Sequence, residues 1–167
     1  MSNQSQEFVP RIEDRSLSMP ALVELLRAVL DRGAQFRFEA PGFSMSPFIQ
    51  DGDTITVAPL AGASPRRGDM VAFLRPDSGK VVVHRVVGKQ DGAFLIQGDN
   101  AEETDGPVLA ASILGRVTEV KRDGSPIRLG LGPERYIIAG LSRWGLLRPL
   151  LLWGWPLVRP IVRRLSP

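Results

Sequence analysis

The spacing of apolar residues changes period twice along the chain. Between Ser18 and Gly33, Leu22, Leu25, Leu26, Val29 and Leu30 recur at the three-and-four spacing of one helical face. Ser18 suits an N-cap and Pro20 the first turn, so an amphipathic helix is predicted over 18–33. Glu24, Arg27 and Asp31 interrupt its apolar run, which predicts packing against a body or partner rather than a bilayer crossing. From Gln35 the period shortens to two. Phe36 and Phe38 alternate with Arg37 and Glu39, and residues 54–58, 70–74, 80–87, 93–97, 113–121 and 127–131 read as strands. Asp91-Gly92 and Asp123-Gly124 are hairpin turn signals between apolar segments. The expected architecture is mainly β: a twisted, partly closed antiparallel assembly over 34–131, preceded by the short helix. Residues 1–17 are polar, lack the apolar core of an export signal, and are expected to be a flexible start.

The period changes again in the segment 132–167, which is expected to be apolar and helical. Tyr136, Ile137, Ile138, Leu141, Leu146, Leu147 and the run 150–153 are punctuated by arginines and by Pro149, Pro156 and Pro160. The longest uncharged stretch lies between Arg148 and Arg159, short of the roughly 18–20 residues of a bilayer crossing. Trp144, Trp153 and Trp155 are the only tryptophans of the chain, and all stand near arginines. Two readings fit this composition: a segment lying in the headgroup region of a membrane, or an apolar arm packed on protein.

Composition narrows the chemistry. The chain of 167 residues suits one domain with appendages, and its 17 glycines and 14 prolines favour short strands and turns over long helices. With no cysteine and one histidine, a disulfide framework, a thiolate nucleophile and a Cys- or His-rich metal site are excluded, and no metal or cofactor is expected. The net charge of +3 conceals a division. Residues 136–167 carry Arg143, Arg148, Arg159, Arg163 and Arg164 and no acid, while the first 135 residues hold 16 basic and 18 acidic side chains. That body is no basic platform for nucleic acid.

One serine and the single histidine are the candidate chemistry. Ser44 lies in Gly42-Phe43-Ser44-Met45-Ser46-Pro47, a tight turn by composition, and His84 lies in Val81-Val82-Val83-His84-Arg85-Val86-Val87. A serine hydroxyl needs a base at neutral pH, and an imidazole suits that task. Strand alternation puts His84 on the face of Val82 and Val86 and turns Arg85 to the other. A carboxylate would hold the imidazole tautomer, and Asp99 and Asp105, in the turn region 97–106, are the candidates. Taken singly, each of these residues reads as a turn former or a hydrogen-bonded strand residue; their joint order points to acyl transfer. Asp51-Gly52-Asp53, Gly68-Asp69 and Gly98-Asp99 each stand beside a strand and read as turn chemistry.

The boxes 42–47, 51–53, 67–73, 83–86, 98–100 and Asp105, in that order, resemble those of signal peptidase I. They are most similar to its archaeal and endoplasmic-reticulum branch, in which histidine replaces the base lysine. The resemblance spans roughly residues 35–120. It implies a fold of the signal peptidase/LexA-like type and a serine endopeptidase acting on an extended peptide or precursor protein. It further implies Ser44 as nucleophile, His84 as general base, Asp105 as orienting acid and Asp99 as a supporting acid in the same loop. The Ser44 N–H would contribute to the oxyanion site. The alternatives are a non-catalytic binding or membrane-associated protein on the same fold, and a LexA-like self-cleaving regulator. Against the last, only one helix is predicted ahead of Ser44, and the pairs Ala61-Gly62 and Ala139-Gly140 fall downstream of it. The expected location is cytoplasmic, with peripheral membrane contact through the C-terminal segment as one option, and no nucleic-acid partner.

Overall fold

The computed structural model describes residues 18–154; the expected flexible start at 1–17 and the last part of the apolar segment, 155–167, lie outside the described residues. Helix α1 (Met19–Asp31) begins at Ser18, whose hydroxyl accepts a bond from the Ala21 N–H at 3.4 Å. Leu22, Leu26 and Leu30 form its buried stripe. Each such leucine contributes roughly 1.5–3 kcal/mol through burial. They pack against the sheet at β1 (Phe36–Glu39) and β7 (Ile113–Arg122).

The sheet also contains β2 (Thr54–Ala58), β3 (Met70–Leu74), β4 (Val81–Gln90), β5 (Ala93–Gln97), β6 (Thr104–Val108) and β8 (Ser125–Pro126). All eight strands belong to one antiparallel sheet in the order β1-β2-β7-β3-β4-β5-β6, with β8 paired to β7. The path is open: among the described residues the end strands β1 and β6 do not pair with each other. Strand β4 changes partners along its length. Val81–Arg85 pair with β3, whereas pairing with β5 begins only at Arg85, so the first half of β4 has one side without a strand neighbour.

Two stretches differ from the sequence reading. Residues 127–131 are not a strand, although they alternate like one. Gly130 adopts φ +93° and its carbonyl accepts a bond from Arg85 Nη1 at 2.9 Å, which withdraws it from any ladder. The opposite difference occurs at β6, where Gly106 and Pro107 look like breakers yet sit in a strand. Proline is tolerated there because β6 is an edge.

After β8 the chain forms α2 (Arg135–Arg143), which packs on β4 and buries Ile138, Ala139 and Ser142. Residues 147–154 are again helical. Leu147 and Leu151 join Ile138 and Phe48 in a small apolar cluster, so the C-terminal segment is seated just behind the turn that carries Ser44. No described helix is long and apolar enough to cross a membrane.

Candidate active site

Ser44 is held by a loop that closes on itself. The Ala40 N–H donates to the Asp53 carbonyl at 2.8 Å and the Gly52 N–H to the Ala40 carbonyl at 3.0 Å. Asp51 and Asp53 act as the turn formers expected of them: Asp51 Oδ1 accepts from the Gly42 N–H and Asp53 Oδ2 from the Gln50 N–H, both at 2.7 Å. Gly42 takes φ +86°, a conformation that favours glycine. Met45, Phe48 and Ile49 are buried and anchor the turn, leaving Ser44 and Phe43 exposed at its crest. A hydroxyl placed this way is rigid in position and open to a large substrate.

His84 arrives from the opposite side, on β4. It is buried, as expected from its apolar face, and stands opposite Val71 of β3 with the Phe73 ring 6.2 Å away. Its Nε2 lies 2.9 Å from Ser44 Oγ and its Nδ1 lies 2.6 Å from Asp105 Oδ2. Three side chains distant in sequence therefore form one hydrogen-bonded line from hydroxyl to imidazole to carboxylate.

Asp105 reaches the imidazole because β6 carries a bulge. Gln97 pairs with Thr104 and Leu95 with Pro107, so Asp105 and Gly106 together oppose Ile96. Gly106 supplies φ +79°, and such an extra residue re-aims the neighbouring side chain. The Asp105 side chain is only 3% exposed, and its second oxygen lies 3.3 Å from Arg75 Nη2. Arg75, just beyond β3, is also paired with Asp77 at 3.5 Å. Nothing in the local sequence marks Arg75, because its partner Asp105 lies 30 positions on.

Asp99, expected as a supporting acid in the same loop as Asp105, faces Arg85. Both its oxygens are taken by Arg85: Nε donates at 2.8 and 3.1 Å and Nη2 at 2.7 Å. Arg85 does lie on the face opposite His84, but that face is interior, and the arginine is wholly buried. It also donates to the carbonyls of Gly68 and Gly130 and lies over the Phe48 ring at 5.4 Å. Burial pushes the Asp99 carboxyl above the usual carboxylate range, opposed by the Arg85 guanidinium. The pair ties the loop after β5 to the strand that bears His84. It positions the site from behind and does not contact the serine–histidine line.

Gly98 is a further residue whose importance the sequence reading, which saw only turn chemistry, missed. A Cβ there would stand 2.8 Å from the Ser44 carbonyl oxygen and 3.1 Å from His84 Nε2. The next loop residue but one completes the contact: the Asn100 N–H donates to the Ser44 carbonyl at 2.8 Å. The Ser44 N–H itself has no acceptor among the described residues.

A cleft of about 280 Å³ opens beside the hydroxyl. Phe38 and Ala40 line one wall, Val81 and Val83 the other, and Arg75 stands on its lining. The Val81–Val83 wall is the half of β4 that lacks a second strand neighbour, so its backbone can pair with an extended chain. No group of three or more His, Cys, Asp or Glu among the described residues could hold a metal ion.

A hydroxyl, an imidazole and a buried carboxylate in line, at the edge of an antiparallel sheet, have the geometry of a serine hydrolase site. A family model described as Peptidase S24-like matches residues 3–118. That match covers more than half of the chain, which therefore belongs to the peptidase S24-like family. No curated protein and no solved structure matches it.

Proposed function

We propose that this chain is a serine endopeptidase of the signal peptidase type, nearest the serine–histidine branch, acting on an extended peptide or precursor. The single observation that carries the reading is the unbroken Ser44–His84–Asp105 line, 2.9 and 2.6 Å across its two links. Ser44 Oγ attacks the scissile carbonyl carbon as its proton passes to His84 Nε2. Asp105 holds Nδ1–H in place and stabilises the imidazolium. The peptide C–N bond then breaks, the leaving amine takes the proton from His84, and an acyl ester remains on Ser44. Water next loses a proton to His84 and attacks the ester, and Ser44 recovers its proton as the acid departs. The Ser44 N–H, which has no acceptor among the described residues, suits an oxyanion donor.

The substrate would lie along Val81–Val83 as an added strand, with an apolar side chain in the cleft. The test is mass spectrometry of candidate precursor peptides incubated with wild-type, Ser44→Ala and His84→Ala protein, together with labelling by a serine-directed acylating probe. Cleavage and labelling by the wild type alone are expected. Full cleavage by Ser44→Ala would end the proposal. A self-cleaving regulator is less well supported: both Ala-Gly pairs follow Ser44 in the chain, and although Ala61-Gly62 is exposed in a turn, Ala139 is fully buried within α2. A single stable band after long incubation of pure protein is expected.

A further inference from the structure

We infer that the C-terminal helical segment is a docking surface for an anionic bilayer, on whose headgroup region it lies flat. This inference stands apart from the proposed catalysis. The inner face of residues 135–154 is accounted for: Ile138, Ala139 and Leu147 are buried against β4 and Phe48. The outer face is apolar where a solvated helix would be polar. Trp144 is 78% exposed and Trp153 86%, with Leu146, Leu150 and Leu152 each more than half exposed between them. An apolar hollow of about 500 Å³ runs along this face, bounded by Leu141, Leu146, Pro149, Leu150 and Trp153. An exposed apolar surface of this extent marks an interaction site.

Charge and residue type select the occupant. Residues 136–167 contain five arginines and no acid, and Arg143 stands exposed beside Trp144. A surface rich in phosphate headgroups complements that charge, and the amphipathic tryptophan ring partitions to the same depth. An apolar face with arginine at its margins and no span long enough to cross describes a segment that rests on a membrane without entering its core. The segment is also connected to the site. Arg148 is ion-paired with Glu102, in the loop that leads from β5 into β6, the strand of Asp105.

The tryptophans make the inference directly measurable, because all three lie in 144–155 and their emission reports on this segment alone. Full-length protein is mixed with vesicles of phosphatidylcholine and phosphatidylglycerol, or of phosphatidylcholine alone. Sedimentation with the anionic vesicles, a blue shift of emission, and release by high salt are expected. The double variant Trp144→Ser/Trp153→Ser, which alters two exposed side chains, is expected to keep its circular dichroism spectrum and lose at least about tenfold in vesicle affinity. It should also keep its activity on a short soluble peptide, so loss of docking is separable from failure of the active site. Absence of sedimentation and of any blue shift would overturn the inference. So would a dimer, seen by sedimentation velocity, that the double variant dissolves while vesicles bind neither form, since the face would then belong to a second copy of the chain.

Discussion

Arg75 Nη2 lies 3.3 Å from Asp105 Oδ1, the carboxylate oxygen that His84 does not use. The buried acid thus has a cation on one side and the imidazole on the other, while Asp77 draws Arg75 back toward solvent. Arg75→Gln takes away the cation beside Asp105 Oδ1 and leaves that oxygen of a buried acid without its partner. A carboxylate held less firmly orients the imidazole less well, so kcat should fall about tenfold with KM little changed. Arg75→Lys should restore part of the loss. Steady-state kinetics on the three proteins checks this, and an unchanged kcat would show that Arg75 is only a surface pair.

Asp105→Asn keeps the shape of the acid but can present its amide to Nδ1, allowing the wrong imidazole tautomer. Loss of about 10³ to 10⁴ in kcat is expected if the carboxylate orients the base. Asp99→Asn, which leaves the bond to His84 Nδ1 intact, should cost far less in kcat and act mainly on stability. Measuring both variants on one peptide separates the two acids.

Gly98→Ala introduces a methyl 2.8 Å from the Ser44 carbonyl and 3.1 Å from His84 Nε2. The first neighbour is backbone and cannot swing away, so the serine turn must move relative to the base. A displacement of that kind predicts a fall in kcat of about 10²-fold. Steady-state kinetics beside a thermal melt would show activity lost out of proportion to stability.

Arg85→Met should destabilise the chain by about 3–5 kcal/mol, because it leaves Asp99 buried without its cation. The carbonyls of Gly68 and Gly130 lose a donor as well. Urea unfolding gives the figure. The double variant Arg85→Met/Asp99→Leu should recover part of it, since no uncompensated charge then remains.

Much of this fold is legible in the sequence, and the reasons for the exceptions are physical. Strands 54–58, 70–74 and 93–97 agree with β2, β3 and β5 residue for residue, because short apolar runs there are bounded by aspartate–glycine turns. Helix α1 is equally plain from Ser18, Pro20 and the leucine spacing. Strand β6 is not, since Thr104-Asp105-Gly106-Pro107 carries breakers that only an edge position and a bulge accommodate. At the site, Ser44 and His84 stand out by residue type and order. The choice between Asp99 and Asp105 does not, because it depends on which carboxylate Arg85 captures and where β6 bends. Arg75 and the tight fit at Gly98 are contacts made only after folding, with partners from other parts of the chain.

The proposed orienting acid occupies the least secure strand of the three elements that meet at the site. Strand β6 has five residues, one sheet neighbour, an interrupted ladder and a proline that cannot donate to it. The strand that carries His84 is twice as long, and it is held by β3 along Val81–Arg85 and by β5 from Arg85 onward. Edges of this kind open first under mild denaturant. Gentle urea should therefore abolish the proposed peptide cleavage while the spectroscopic signature of the sheet persists, and dilution should restore it.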